Sequence, residues 1–284
     1  MEELNKFPEQ IKEAIKLKIK PKHYDKILVC GMGGSGIAGY ILRDLLDIPV
    51  FIEQSYNIPK FIDKKTLVFV ISYSGNTEET ISMYKQVKRK TNNIIIITSG
   101  GKLGKEKNVI KVPEGLVPRR AIAYLFFTVW GSLGYKGVKL QKVNPLEAKN
   151  LAKKIHKKLF LIYISSKYYS IALRWKDQIN EDAKHLALIN TLPEMDHNEI
   201  ESDLTNCYPL IIRTKDEHPR LKKKLNLTKN LIKADEFYLK GNTKLEKIFY
   251  GIQFGDYLAL YLAELYKEDP SKYKYIEKLK RLMK

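Results

Sequence analysis

Lys26–Tyr40, KILVCGMGGSGIAGY, decides how this chain is read: an apolar run gives way to four glycines in six residues with a serine among them, then to an apolar helix-like segment. The pattern is strand, anion-binding loop, helix. A helix N-terminus presents backbone N–H groups without partners and about half a positive charge, so an anion docks there readily. Gly31, Gly33, Gly34 and Gly36 remove the Cβ atoms that would hold the anion away, and Ser35 adds a hydroxyl donor. The stretch alone leaves the ligand open. Gly31, Gly33 and Gly36 also fit G-x-G-x-x-G, and Glu53 closes the next strand-like run, PVFIE, near where a dinucleotide ribose would be bound. No G-x-x-x-x-G-K-[ST] follows, which argues against a nucleotide triphosphate loop.

Working outward, Phe7–Ile19 has the spacing of an amphipathic helix. Strand-like runs recur at Ile27–Cys30, Val50–Glu53, Thr66–Ser72, Asn93–Thr98 and Val109–Val112, most of them separated by helical patterns. Continuous Val/Ile-rich strands alternating with helices indicate a parallel sheet buried on both faces. A helix-like Arg119–Trp130 is followed by GSLGYKGVKLQKVNP, whose Gly and Lys content marks a domain boundary, placed between residues 1–140 and 141–284. A second α/β series then runs through helical Leu146–Lys157, the strand Leu159–Ser165, helical Tyr169–Lys184, strands at Leu186–Thr191 and Leu210–Arg213, a Lys-rich helix from Pro219, the strand Glu236–Leu239, a long helix Leu245–Leu265 and a last helix after Asp269-Pro270. The two halves suggest an internal duplication.

Composition narrows the function classes. The 284 residues are 44% apolar, enough for two domains with sizeable cores. No apolar run reaches the roughly 18 residues of a membrane span, and MEELNKFPEQIKEAIK lacks the apolar core of a signal peptide, so a soluble, cytoplasmic protein is expected. Cys30 and Cys207 are the two cysteines, and no Cys/His cluster has zinc spacing, so neither a disulfide framework nor a metal site is expected. The formal charge of +19 ordinarily raises the expectation of a polyanionic partner. Only 8 of the 51 basic residues are Arg, however, and the Lys residues are spread along helix-like segments rather than gathered with aromatics. Lys-rich solvated faces explain the charge without nucleic acid.

The third strand runs into TLVFVISYSGNTEET, which places Ser72, Ser74 and Thr77 at a strand's carboxyl end, the edge where open α/β sheets bind ligands. Three hydroxyls and several N–H groups beside the glycine loop make a neutral, donor-rich cradle suited to one phosphate. With GMGGSGIAG and SYSGNTEET on the page, together with PRRA at Pro118–Ala121, NEDAK at Asn180–Lys184, EMDHNE at Glu194–Glu199 and the tail DPSKYKYIEKLKRL, the sequence resembles the sugar isomerase (SIS) domain family, and more closely the bifunctional phosphoglucose/phosphomannose isomerases. The blocks follow the family's order along nearly the whole chain. The dinucleotide reading leaves SYSGNTEET without a task and yields.

The resemblance implies two SIS domains, each a parallel five-stranded sheet flanked by helices in a flavodoxin-like αβα sandwich. It implies a metal-independent aldose-ketose isomerase, without cofactor, that interconverts glucose 6-phosphate and mannose 6-phosphate with fructose 6-phosphate through a cis-enediolate. Gly34, Ser35, Ser72, Ser74 and Thr77 would hold the phosphate. Arg119 matches the arginine at the C1–C2 end, where a guanidinium suits a developing oxyanion; Arg120 beside it leaves open which of the two points inward. Glu181 matches the base, a role that needs a carboxylate in reach of C1 and C2 and desolvated enough to work near neutrality. His197 matches the ring-opening histidine, suited by an ordinary pKa of about 6.5, and Lys280 a lysine at the same end. The family is also dimeric, with His197 reaching a site built largely by the other subunit. Tyr40 stands where the family commonly has Asp, Glu181-Asp182 where some members have Glu-Asn, and Ser271 and Tyr273 where a threonine is associated with accepting both C2 epimers. The alternatives are an SIS isomerase for another sugar phosphate or sugar-amine phosphate, and a non-catalytic sugar-phosphate sensor.

Overall fold

A computed structural model describes residues 2–283. The chain divides into two compact units, the first running to Leu140 with Thr243–Glu246 added, the second comprising Gln141–Asn242 and the chain from Lys247.

In the first unit, helices α1 (Glu2–Asn5) and α2 (Phe7–Ala14) lead into β1 (Lys26–Cys30), α3 (Gly33–Leu45), β2 (Val50–Glu53), β3 (Thr66–Ile71), α4 (Glu78–Val87), β4 (Ile94–Thr98), β5 (Val109–Lys111) and α5 (Ile122–Ser132). The five strands are all parallel in the order β2-β1-β3-β4-β5. Central β3, TLVFVI, is buried at every residue, which is why its sequence is an unbroken apolar run and not an alternation. On one face, Leu28, Val68, Val70 and Ile96 pack with Met83 and Val87 of α4. Each such side chain removed from water contributes about 1.5–3 kcal/mol.

Several boundaries differ from the sequence reading. The first amphipathic helix closes at Ala14, not Ile19, its last turn tightening into i→i−3 bonds from Lys16 N to Glu13 O and from Leu17 N to Ala14 O. Gly131, read as the start of the interdomain stretch, lies inside α5, and its glycine is required because a Cβ there would come within 2.7 Å of the Ile15 carbonyl oxygen. It marks a close approach and not a break.

The second unit carries α6 (Pro145–Ile155), β6 (Leu159–Ser165), α7 (Tyr169–Asp182), β7 (Ala187–Leu192), β8 (Cys207–Arg213), α8 (Pro219–Ile232), β9 (Asp235–Tyr238), α9 (Lys244–Tyr266), which enters this unit at Lys247, and α10 (Lys274–Leu282). Its sheet has four parallel strands, ordered β7-β6-β8-β9, where five were expected. After β9 the chain turns through Gly241 into the 23-residue α9, so no extended run is left to supply a counterpart of β5. One face is closed by an aromatic cluster: Trp175 of α7 stacks 5.5 Å from Phe254 of α9, and Phe254 lies 4.1 Å from Phe237 of β9. The other face packs Leu161, Tyr163 and Ile211 with Leu225 of α8. Among the described residues, no helix is long and apolar enough to cross a membrane.

Candidate active site

In the first sheet β1 and β3 are neighbours, and the chain leaves β1 towards β2 but leaves β3 towards β4. The crevice beyond their carboxyl ends is therefore the topological switch point, where open α/β sheets take their ligands. The two loops that open there are the glycine loop and the serine-threonine loop.

The loops approach closely. A Cβ on Gly31 would lie 2.8 Å from the Ile71 carbonyl oxygen at the end of β3. Helix α3 begins at Gly33 behind an N-cap, Met32, whose side chain makes no capping bond, so the first turn keeps donors for a ligand. Gly34 and Ser35 sit half-buried on that turn. In the second loop the hydroxyls of Ser72 and Thr77 share a hydrogen bond of 2.9 Å, and Ser72 Oγ also accepts from Gly75 N at 3.2 Å. Thr77 occupies the N-cap of α4 without capping it. Its hydroxyl is turned to the loop, so an ordinary Ser/Thr helix cap does not account for it. Ser74 is exposed and accepts from Asn76 N at 3.3 Å. Gly75 makes this compact turn feasible: its φ is +65°, and a Cβ would lie 1.9 Å from the Gly100 carbonyl oxygen.

Arg119 and Arg120 sit in a 3-10 turn, Pro118–Ala121, ahead of α5 and packed on α3, instead of within an α-helix as the sequence suggested. Both are buried, at 4% and 7% exposure, so burial does not single out either guanidinium. Sequence reasoning gave no task to Tyr73, which is buried between the two serines. Its phenol donates to the Pro113 carbonyl at 2.9 Å and accepts from Leu116 N at 2.8 Å, on the segment leading to Arg119. The one available signal was an aromatic residue enclosed by small polar ones.

In the second unit the carboxyl end of β8 carries a cluster of the protein's own charges on its β9 side. Arg213 ends β8 with 1% exposure, pairs with Glu217 at 2.6 Å and with Glu236, and donates to Asn226 at 2.7 Å. Glu181 lies elsewhere, half-buried on the last turn of α7, where the chain is about to enter β7. It belongs to the amino-terminal edge of its sheet, opposite to the edge that the ligand rule singles out. Burial pushes the carboxyl of Asp177, one turn earlier, above the usual range against the pull of Lys176 and Arg174. Lys184, in the left-handed conformation just past the helix, places its ammonium on the Glu181 carbonyl oxygen and 5.8 Å from the centre of the Tyr273 ring. Tyr273, at the N-cap of α10, is thus brought beside the Glu181 turn, whereas Ser271 directs its hydroxyl to Asp269 at 2.6 Å.

His197 is not gathered with Glu181. His197 is exposed in the 3-10 turn Glu194–His197 that follows β7. The six residues of β7, roughly 20 Å at a strand's rise, lie between it and the Glu181 end of the sheet. Lys280 is exposed on α10. Among the described residues, no group of three or more His, Cys, Asp or Glu side chains could hold a metal ion.

The SIS domain model matches residues 20–114, and the model of the bacterial phospho-glucose isomerase C-terminal SIS domain matches residues 145–283. A bifunctional phosphoglucose/phosphomannose isomerase of Caldicellulosiruptor bescii is 37% identical over 98% of this chain and 97% of its own. One of Thermoplasma volcanium is 40% identical over 91% of each. A D-glucosamine-6-phosphate 4-epimerase of Sulfolobus acidocaldarius is 35% identical over 63% of this chain and 64% of its own. Similarity at this level over nearly the full length of both chains, with SIS-domain models matching each unit, has one account: the chain belongs to the bifunctional phosphoglucose/phosphomannose isomerase family of SIS-domain enzymes.

Proposed function

We propose that this isomerase interconverts glucose 6-phosphate and mannose 6-phosphate with fructose 6-phosphate through a cis-enediolate and without a metal ion. The observation that carries the reading is the Ser72–Thr77 hydroxyl pair just beyond β3, at the switch point of the first sheet where the glycine loop after β1 also opens. A phosphate there accepts from the hydroxyls of Ser35, Ser72, Ser74 and Thr77 and from the Gly34 N–H. Hydrogen bonds to a charged group contribute about 1.5–3 kcal/mol each.

Glu181 then takes the proton from C2 of the open-chain aldose. The electron pair enters the C1–C2 bond and O1 becomes negative, a charge met by the Arg119 guanidinium. Transfer of the O2 proton to O1 and return of the carboxyl's proton to C1 give the ketose. His197 and Lys280 open the pyranose ring by moving a proton between O5 and O1. The separation of His197 from Glu181 along β7 favours a homodimer in which His197 of one copy serves the Glu181 of the other.

Purified protein is assayed with glucose 6-phosphate and mannose 6-phosphate for fructose 6-phosphate, before and after exhaustive EDTA treatment. Turnover of both sugars, unchanged by EDTA, is expected. Activity lost to EDTA and restored only by a divalent ion overturns the mechanism. The relative named as a 4-epimerase of glucosamine 6-phosphate supports a second reading, an amino-sugar phosphate substrate. Glucosamine 6-phosphate turnover exceeding that of both hexose phosphates selects it.

A further inference from the structure

We infer that Tyr73 is a positioning residue, welding the phosphate loop to the turn that carries Arg119. The inference rests on the reading of Arg119 as the group that meets the enediolate charge.

Tyr73 stands between Ser72 and Ser74 and is 7% exposed. Its main-chain carbonyl accepts from Ser99 N at 2.9 Å, from Ser99 Oγ at 2.7 Å and from Thr98 Oγ1 at 3.3 Å, which ties the phosphate loop to the end of β4. Its phenol faces the other way in chemical terms. It donates to the Pro113 carbonyl and accepts from Leu116 N, at 2.9 and 2.8 Å. One proton and one lone pair, each committed to a main-chain partner, fix the phenol oxygen and the two backbone groups together.

Residues 113–117 are neither helix nor strand, so no ladder holds them. The three residues from Leu116 to Arg119 span at most about 11 Å. The segment that the phenol holds at Leu116 thus leads within three residues to Arg119, and losing that hold frees the approach to the Arg119 turn. The hydroxyls that grip phosphate belong to the other side of the joint, on residues 72–77. Removing the phenol oxygen should leave substrate binding in place and move the guanidinium that acts after binding.

The test is a double-mutant cycle. Tyr73→Phe keeps the ring and deletes the oxygen; kcat for glucose 6-phosphate is expected to fall by about 10- to 100-fold, since a displacement near 1 Å costs up to about 10². KM is expected to stay within about threefold, the signature of an interaction made in the transition state. In an Arg119→Ala background the same substitution is expected to change kcat by less than about twofold, because residues acting through one another are not additive. Sites are counted by binding of glucitol 6-phosphate, so that any unfolded protein is excluded from kcat. Wild-type kcat in Tyr73→Phe, a raised KM at unchanged kcat, or full additivity with Arg119→Ala overturns the inference. Wild-type kcat in Arg119→Ala overturns the reading of Arg119 and the inference with it; a crippled Arg119→Ala with an additive Tyr73→Phe overturns the inference alone.

Discussion

Arg174 and Asp256 form a two-pronged ion pair in the interior of the second unit: Nε meets Oδ1 and Nη2 meets Oδ2, both at 3.1 Å, with side chains 0% and 1% exposed. The pair fixes α7 against α9. Beside it Trp175 Nε1 donates to the Gly251 carbonyl at 2.7 Å, and a Cβ on Gly255 would fall 2.2 Å from the Trp175 ring. Arg174 lies two helical turns before Glu181, on the same helix face. The rotation and axial register of the helix bearing the proposed base are thus set by a directional polar contact embedded in aromatic packing.

Breaking such a pair leaves one charge buried alone, whereas replacing both members with apolar groups does not. Asp256→Ala is expected to lower unfolding stability by about 3–5 kcal/mol. Arg174→Met/Asp256→Leu is expected to recover most of that in urea titrations. If the double variant is no more stable than Asp256→Ala, the interior does not accept an apolar replacement, and the cost cannot be assigned to a stranded charge.

The first sheet was legible because its chemistry is local. Val/Ile runs, four glycines and S-x-S-G-x-T sit contiguously, and the β1 and β3 loops fall at the switch point that strand alternation predicts. The second sheet was less so. Its missing fifth strand shows only as an absence after Leu239, and the Arg213–Glu217–Glu236 cluster joins residues from β8, the turn behind it and β9, which no window of sequence brings together. Glu181 reads as a solvated helix end without its family. Tyr73 acts through backbone groups about forty residues away in the chain (|i−j| = 40 and 43), a relationship carried by no residue type at the far end.

The distance along β7 between His197 and Glu181 bears directly on assembly. Glu181→Gln and His197→Ala are each expected to be nearly inactive, since a positioned acid-base group contributes roughly 10²- to 10⁴-fold. Mixed under conditions of subunit exchange, the two variants are expected to regain activity, because a hybrid dimer holds one site with both wild-type groups. Exchange demonstrated by mass with no activity recovered would mean that each site is built within one chain.

Acid stability of the second unit has a defined sign. Hydrogen bonds from Lys154 first, and then Tyr208, hold the carboxyl of Asp235 below its ordinary value. A depressed carboxylate contributes stability that is complete above its unfolded pKa and is lost as pH falls through the folded one. The contribution is therefore present at neutral pH and fades below about pH 4. Asp235→Asn is expected to lower Tm at pH 7 and to converge with the wild type as the pH is lowered towards 2. A Tm gap that stays constant over that range would show that the effect is packing and not charge.

Under the proposed function, Tyr273 is the residue expected to govern epimer choice. Glucose and mannose 6-phosphates differ only at C2 and converge on one enediolate once the C2 proton leaves, so a single base serves both. Discrimination has to arise earlier, from rotation about C2–C3 of the open chain and from contacts to the C2 hydroxyl. Of the two tail residues at the position associated with dual specificity, Ser271 is committed to Asp269, while the Tyr273 ring lies beside the Glu181 turn through Lys184. The ring is half-buried, and Lys184, a flexible side chain, is among its neighbours. Both epimers are accordingly expected as substrates, with kcat/KM for mannose 6-phosphate below that for glucose 6-phosphate by less than about a thousandfold, or roughly 4 kcal/mol in transition-state stabilisation. Tyr273→Thr is expected to narrow that gap by raising kcat/KM for mannose 6-phosphate while leaving glucose 6-phosphate within about threefold. An equal change for both sugars would remove Tyr273 from the discrimination step, and a wild-type gap above a thousandfold would mean that the ring, fixed by Lys184, excludes the mannose conformer.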